Sequence, residues 1–135
     1  MNSAYFSPKE QEINNVLLLS PHRRYLYFVG KVADWEQVWT LANHDGLVTA
    51  QNDDHRLFLP LWAAKEYVEL CLTDEWAECY PLPMTLEHLM TEILPDMASA
   101  NIQTAIMMLP NGKSTPIFAT QSLLDDLQEE CQQYE

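Results

Sequence analysis

His88 and Glu92 stand four residues apart in "TLEHLMTEIL", a spacing that puts an imidazole and a carboxylate on one face of a helix. Two such groups begin a metal site without completing one. A zinc centre takes at least three protein ligands, and no third lies at motif spacing. Asp53, Asp54 and His55, with His44 and Asp45 across a hairpin, form a second imidazole–carboxylate group, which reads more simply as solvated turns. An acid–base pair could be drawn from any two of the twenty carboxylates, and that abundance nominates none.

Nucleophiles are no better placed. There is no G-x-S-x-G elbow, and Cys71 falls inside a helical pattern instead of at an electropositive helix start. "PNGKST" carries the closing letters of a phosphate loop, but Met107 occupies the position of its first glycine. Pro116 and a strand pattern follow where a helix N-terminus would have to meet phosphate. The stretch is expected to be a hairpin turn, because Asn-Gly tolerates positive φ. No catalytic residue, metal ligand or cofactor is assigned, and the reading leans away from an enzyme. The alternative is a small enzyme using carboxylates with His88 or His55 in a cleft.

Charge is the strongest compositional signal. The net charge is −13, and between Lys65 and Lys113 eight carboxylates occur with no lysine or arginine. Such a surface repels phosphates, so direct nucleic-acid binding is disfavoured. It reads either as a solubilising surface or as a face for a protein partner with a basic surface. No apolar run approaches the roughly 20 residues of a membrane span, and no export signal is apparent. Three cysteines without CxxC spacing then suit reduced thiols in a cytoplasmic protein. Cys71 is expected to serve as a small core hydrophobe.

At 135 residues the chain is expected to be one domain, spanning 1–135, with an α+β fold. "SPKE" offers Ser7 as N-cap, Pro8 at the first helical position and Glu10 to complete a capping box. "SPHR" offers a second start at Ser20 and Pro21, followed by an apolar stripe at Tyr25, Phe28, Val29 and Val32. Trp35, Val38, Trp39 and Ala42 continue the helical spacing, with Asp34 as a cap, and Gly46 suits a left-handed helix end. "LVTAQ" and "RLFLPLW" then read as a hairpin, Ala63 to about Thr73 as a helix, "AECYPLP" as an extended stretch, and "TLEHLMTEILPDM" as a helix stopped or bent at Pro95. "TAIMML" and "TPIFAT" read as a second hairpin before a closing amphipathic helix. The expected order is three helices and then ββαβαββα, with a small, mainly antiparallel sheet. Leu123, Leu124, Leu127 and Cys131 line the last helix as a stripe that would cover its own sheet or that of a homodimer twin.

"RRYLYFVGKVADWEQVW", "LPLWAAKEYVELC", "EW" and "LPNGK", in this order, resemble the bacterial domain-of-unknown-function family 2750. The resemblance rests on Arg24, Tyr25, Phe28, Val32, Asp34, Val38, Trp39, Pro60, Trp62 and Tyr67, and departs at Val68, where a small alanine is expected. The second half is also similar to SseB-like domains in element order. These likenesses imply an α+β fold with no known cofactor and say nothing of substrate. They place Trp62 at a strand-to-helix corner with Tyr67 packed one turn on, and Lys65 and Glu66 outside, open to a partner. Trp62, Lys65, Tyr67 and Trp39 are the candidate binding residues of an interaction or ligand-binding module.

Overall fold

In the computed structural model, which describes residues 5–51, 54–110 and 115–133, the chain opens with an extended strap. Phe6 is buried in it, its ring 5.4 Å from that of Trp35 and its amide donating to Gln37 Oε1 at 2.8 Å. Those contacts displace the expected first cap. Helix α1 (Glu10–Leu17) starts after Lys9 with no side-chain cap, and the Ser7 hydroxyl donates to Glu66 Oε2 at 2.6 Å instead. The second start is as expected. The Ser20 hydroxyl accepts from the Arg23 amide at 3.3 Å, Pro21 fills the first turn, and α2 runs over Pro21–Trp35 with Tyr25, Phe28, Val29 and Val32 buried.

The expected third helix is a strand. Asp34 lies within α2, the chain turns at Glu36 with φ 56°, and β1 follows over Gln37–Asn43. Every residue from Gln37 to Ala42 is buried, so both faces of β1 are covered. A doubly covered strand reads as a continuous run without alternation, and Trp35, Val38, Trp39 and Ala42 matched the helical period by coincidence. Gly46 is left-handed, φ 114°, but in the hairpin turn to β2 (Gly46–Leu47), where Asn43 Oδ1 accepts from the Asp45 amide at 2.8 Å.

The expected strand "LVTAQ" is split, Leu47 pairing with Ala42 and Ala50–Gln51 with Leu57–Phe58, and from Ala50 on the chain continues as one further series of strands and helices. It comprises β3 (Ala50–Gln51), β4 (Leu57–Leu61), α3 (Lys65–Glu69), β5 (Tyr80–Thr85), a helical stretch over 86–99, β6 (Gln103–Ile106), β7 (Ile117–Phe118) and α6 (Thr120–Gln132). Helix α3 is shorter than the expected Ala63–Thr73, because the chain leaves it for a 3₁₀ turn at Asp74–Trp76. The stretch 86–99 is α4 (Leu86–His88), a π turn over Leu89–Ile93 and α5 (Leu94–Ser99). The π turn takes up the disruption just ahead of Pro95, so the helix continues past the proline. The "NGKS" turn, 111–114, lies outside the described residues, but β6 and β7 pair antiparallel across it.

Two sheets, ordered β2-β1-β5 and β3-β4-β6-β7, contain four antiparallel pairings and one parallel, β4 with β6. They are joined where Trp39 and Trp62 exchange backbone hydrogen bonds of 2.9 and 2.8 Å. Pro81 and Pro83 sit on the edge strand β5, where a missing donor is tolerated. Pro60 is fully within β4, and the Thr40 hydroxyl donates to its carbonyl at 2.7 Å. Leu123, Leu124 and Leu127 are buried within the chain's own core, as is Cys71. Val68, at the departure from the family pattern, is fully buried. Among the described residues no helix is long and apolar enough to cross a membrane.

Candidate functional site

Strand β4 ends at Leu61, and Trp62, Ala63 and Ala64 carry the chain into α3 with none of the three more than 1% exposed. Trp62 is a corner plug. Its indole N–H donates to the Met108 carbonyl at 3.0 Å, and that carbonyl also accepts from the Cys71 thiol at 3.3 Å. The Ala63 amide completes the clasp on the end of β6 by donating to Met107 Sδ at 3.3 Å. Met107 itself is held at φ 53°, a conformation that a non-glycine residue adopts only where its surroundings fix it.

The four expected binding residues lie on β1, at the corner and along α3, and face different surroundings. Trp39 is 4% exposed and its ring packs edge-on against Tyr5 of the strap at 5.2 Å. Among the described residues its indole N–H is buried without a hydrogen-bond partner, as is Glu66 Oε1, the oxygen that Ser7 leaves unused. Tyr67 is 2% exposed and meets Tyr27 through their hydroxyls at 2.8 Å. Because Tyr27 donates to Glu12 Oε2 at 2.6 Å, it must accept from Tyr67. Lys65 alone stands exposed, while Glu66, expected beside it on the surface, is half-buried under Ser7.

Burial governs the titration of this cluster. Burial first, then the bond to Glu12, pushes the Tyr27 phenol far above its usual range. Tyr67 is pushed up to about 12, again mainly by burial, and Cys71 up to about 11 for the same reason. In all three the shift favours the neutral, proton-bearing form. Tyr25 is raised as well, by burial and its bond to Asp126.

Cavities open on either side of the corner. A groove of about 540 Å³ runs along α1, lined by Ser7, Gln11, Glu12, Asn15, Val16 and Leu19 among others. A smaller cavity of about 180 Å³ lies past the ends of β4 and β6, between Cys71–Trp76 and Met108–Pro110. Its indole wall, Trp76, meets Trp62 edge-on at 6.4 Å and 87°. Trp76, like the other three tryptophans, reads in the sequence either as core packing at a joint between elements or as part of an aromatic-lined pocket or interface. The signal that finds it is the left-handed Asp74 beside it, φ 53°, which only the fold displays.

His44 and His55 are exposed in turns and His88 is exposed in α4. His44 lies 3.5 Å from its neighbour Asp45 on open surface. Among the described residues no three His, Cys, Asp or Glu side chains approach as metal ligands would, and Asp53 lies outside those residues.

The family model described as "Protein of unknown function (DUF2750)" matches residues 25–127, and the chain belongs to that family. No curated protein and no solved structure matches it. Nine of the ten positions that carry the resemblance are buried, Asp34 being the exception.

Proposed function

We propose that this member of the DUF2750 family is a non-catalytic interaction module that engages a basic segment of a partner protein. One observation carries the reading, the one-sided charge of the folded surface. Glu69, Asp74, Glu75, Glu78, Glu87, Glu92, Asp96, Asp125 and Glu129 are all exposed, and no lysine or arginine occurs among the described residues 66–110 and 115–133. Such a field raises the encounter rate with a basic surface and rejects phosphate backbones.

The test is capture by the immobilised full chain from lysate of its own cell, at about 0.05 M salt, followed by a salt step. Screening shortens from about 10 Å at 0.1 M to about 3 Å at 1 M salt, so a charge-steered partner should elute in the step. A reproducible partner with a lysine- or arginine-rich segment, released by salt, is the expected result. Capture of nothing reproducible, or of a partner indifferent to salt, overturns it.

A further inference from the structure

We propose that the cavity past the ends of β4 and β6 is the seat of one arginine side chain of that partner, its guanidinium lying on the Trp76 indole between Asp74 and Glu75. The inference rests on the reading of the chain as a docking module for a basic segment.

Position is the first argument. Strands β4 and β6 are parallel, so their carboxyl ends lie on the same side, and the cavity opens past them. Met108–Pro110 continue β6 into one wall, and Cys71–Trp76, which follow α3, make the other. The cavity measures about 180 Å³, below the roughly 300 Å³ at which pockets begin to hold drug-sized molecules, and so suits a single side chain.

Chemistry selects which side chain. The Trp76 ring is half-buried and backed edge-on by Trp62, which is itself fixed through the Met108 carbonyl, so the wall is set before anything binds. That carbonyl already accepts from Trp62 and Cys71. The side-chain acceptors at the rim are then Asp74 and Glu75, both exposed carboxylates, with the Thr73 hydroxyl. A planar cation that stacks on an indole and forks to carboxylates is a guanidinium, whereas an ammonium offers a point charge and no planar face. The chain's own Arg24 lies buried behind Met108–Pro110, its Nη1 donating to the Leu19 carbonyl at 3.0 Å, and does not line this cavity.

The experiment titrates the isotope-labelled full chain with Nα-acetyl-arginine methylamide, its lysine counterpart and the uncharged citrulline counterpart, following the four indole N–H resonances. The arginine compound should shift the Trp76 resonance and leave Trp35 unmoved, with the lysine compound weaker and citrulline silent. Trp76→Leu should weaken binding roughly 3- to 30-fold, the range of a cation–indole contact. Asp74→Asn, on the exposed rim and safe for folding, should weaken it roughly two- to fivefold. Equal binding of citrulline, or shifts confined to other parts of the chain, overturns the arginine seat. If a salt-sensitive partner is captured equally by wild type and by Trp76→Leu, the seat is wrong and the docking module stands. If no partner is captured at all, the module itself falls, whatever the arginine compound does.

Discussion

The indole nitrogen of Trp62 donates to the carbonyl of Met108 at 3.0 Å, tying the end of β4 to the end of β6 across 46 residues of chain. Trp62 is 0% exposed, so its truncation empties a large volume that neighbours cannot refill. Trp62→Ala should cost about 3–5 kcal/mol, a large share of the roughly 5–15 kcal/mol typical of a domain. Trp62→Phe keeps most of the ring, and Cys71 still donates to Met108, so it should cost about 1–2 kcal/mol. Thermal melts of both variants decide it. An alanine variant that melts with the wild type would show that the corner carries little of the core.

Much of this corner was legible in the chain, because "RLFLPLW" and the following alanines mark a strand passing into a helix, with a large ring at the joint. The same reasoning failed at Gln37–Ala42 for a physical reason. A strand buried on both faces has no polar face to set a period of two, and Val38, Trp39 and Ala42 then fit a helix equally well. The cap at Ser7 failed differently. Nothing local announces that Phe6 will dock on Trp35 and Ser7 on Glu66, contacts that span 29 and 59 residues. Trp76 was visible as an aromatic, but the cavity beside it depends on the parallel pairing of β4 with β6, which no local pattern encodes.

The Tyr67–Tyr27–Glu12 chain predicts loss of stability in alkali. A phenol in the unfolded chain ionises near pH 10, whereas Tyr67 holds its proton to about 12 and Tyr27 beyond that. The folded state binds more protons through this window, so the contribution is whole below about pH 10 and is lost as pH rises toward 12. Melting temperatures followed from pH 8 to 12 should fall from about pH 10, and less steeply in a Tyr27→Phe/Tyr67→Phe double variant. Identical slopes would remove these phenols from the account.

Thr40 is fully buried and spends its hydroxyl on the carbonyl of Pro60 at 2.7 Å. Thr40→Val keeps the shape and deletes the donor, leaving that carbonyl short of a partner, at a cost of about 1–3 kcal/mol. Thr40→Ser, which retains the hydroxyl, should keep the bond and lose only a methyl contact. Chemical denaturation should rank serine above valine in midpoint. The reverse order would show that packing, and not this bond, holds β1 against β4.

Glu36 ends α2 in the left-handed region, φ 56° and ψ 35°, where its amide donates to Val32 at 2.8 Å and its carbonyl accepts from Leu86 at 2.9 Å. Both bonds are backbone bonds, and the Glu36 side chain is exposed, so the residue contributes little here beyond its strain. Left-handed backbone costs an ordinary residue about 1–2 kcal/mol and glycine almost nothing. Glycine is also freer in the unfolded chain, which returns roughly 0.5–1 kcal/mol of that gain. Glu36→Gly should therefore stabilise the protein by about 0.5–1 kcal/mol and also remove one negative charge from an acidic chain. Glu36→Ala isolates the charge, because alanine meets the same backbone penalty and should leave the melting temperature nearly unchanged. If alanine stabilises as much as glycine, the gain comes from charge relief, and the left-handed turn from α2 into β1 is not strained.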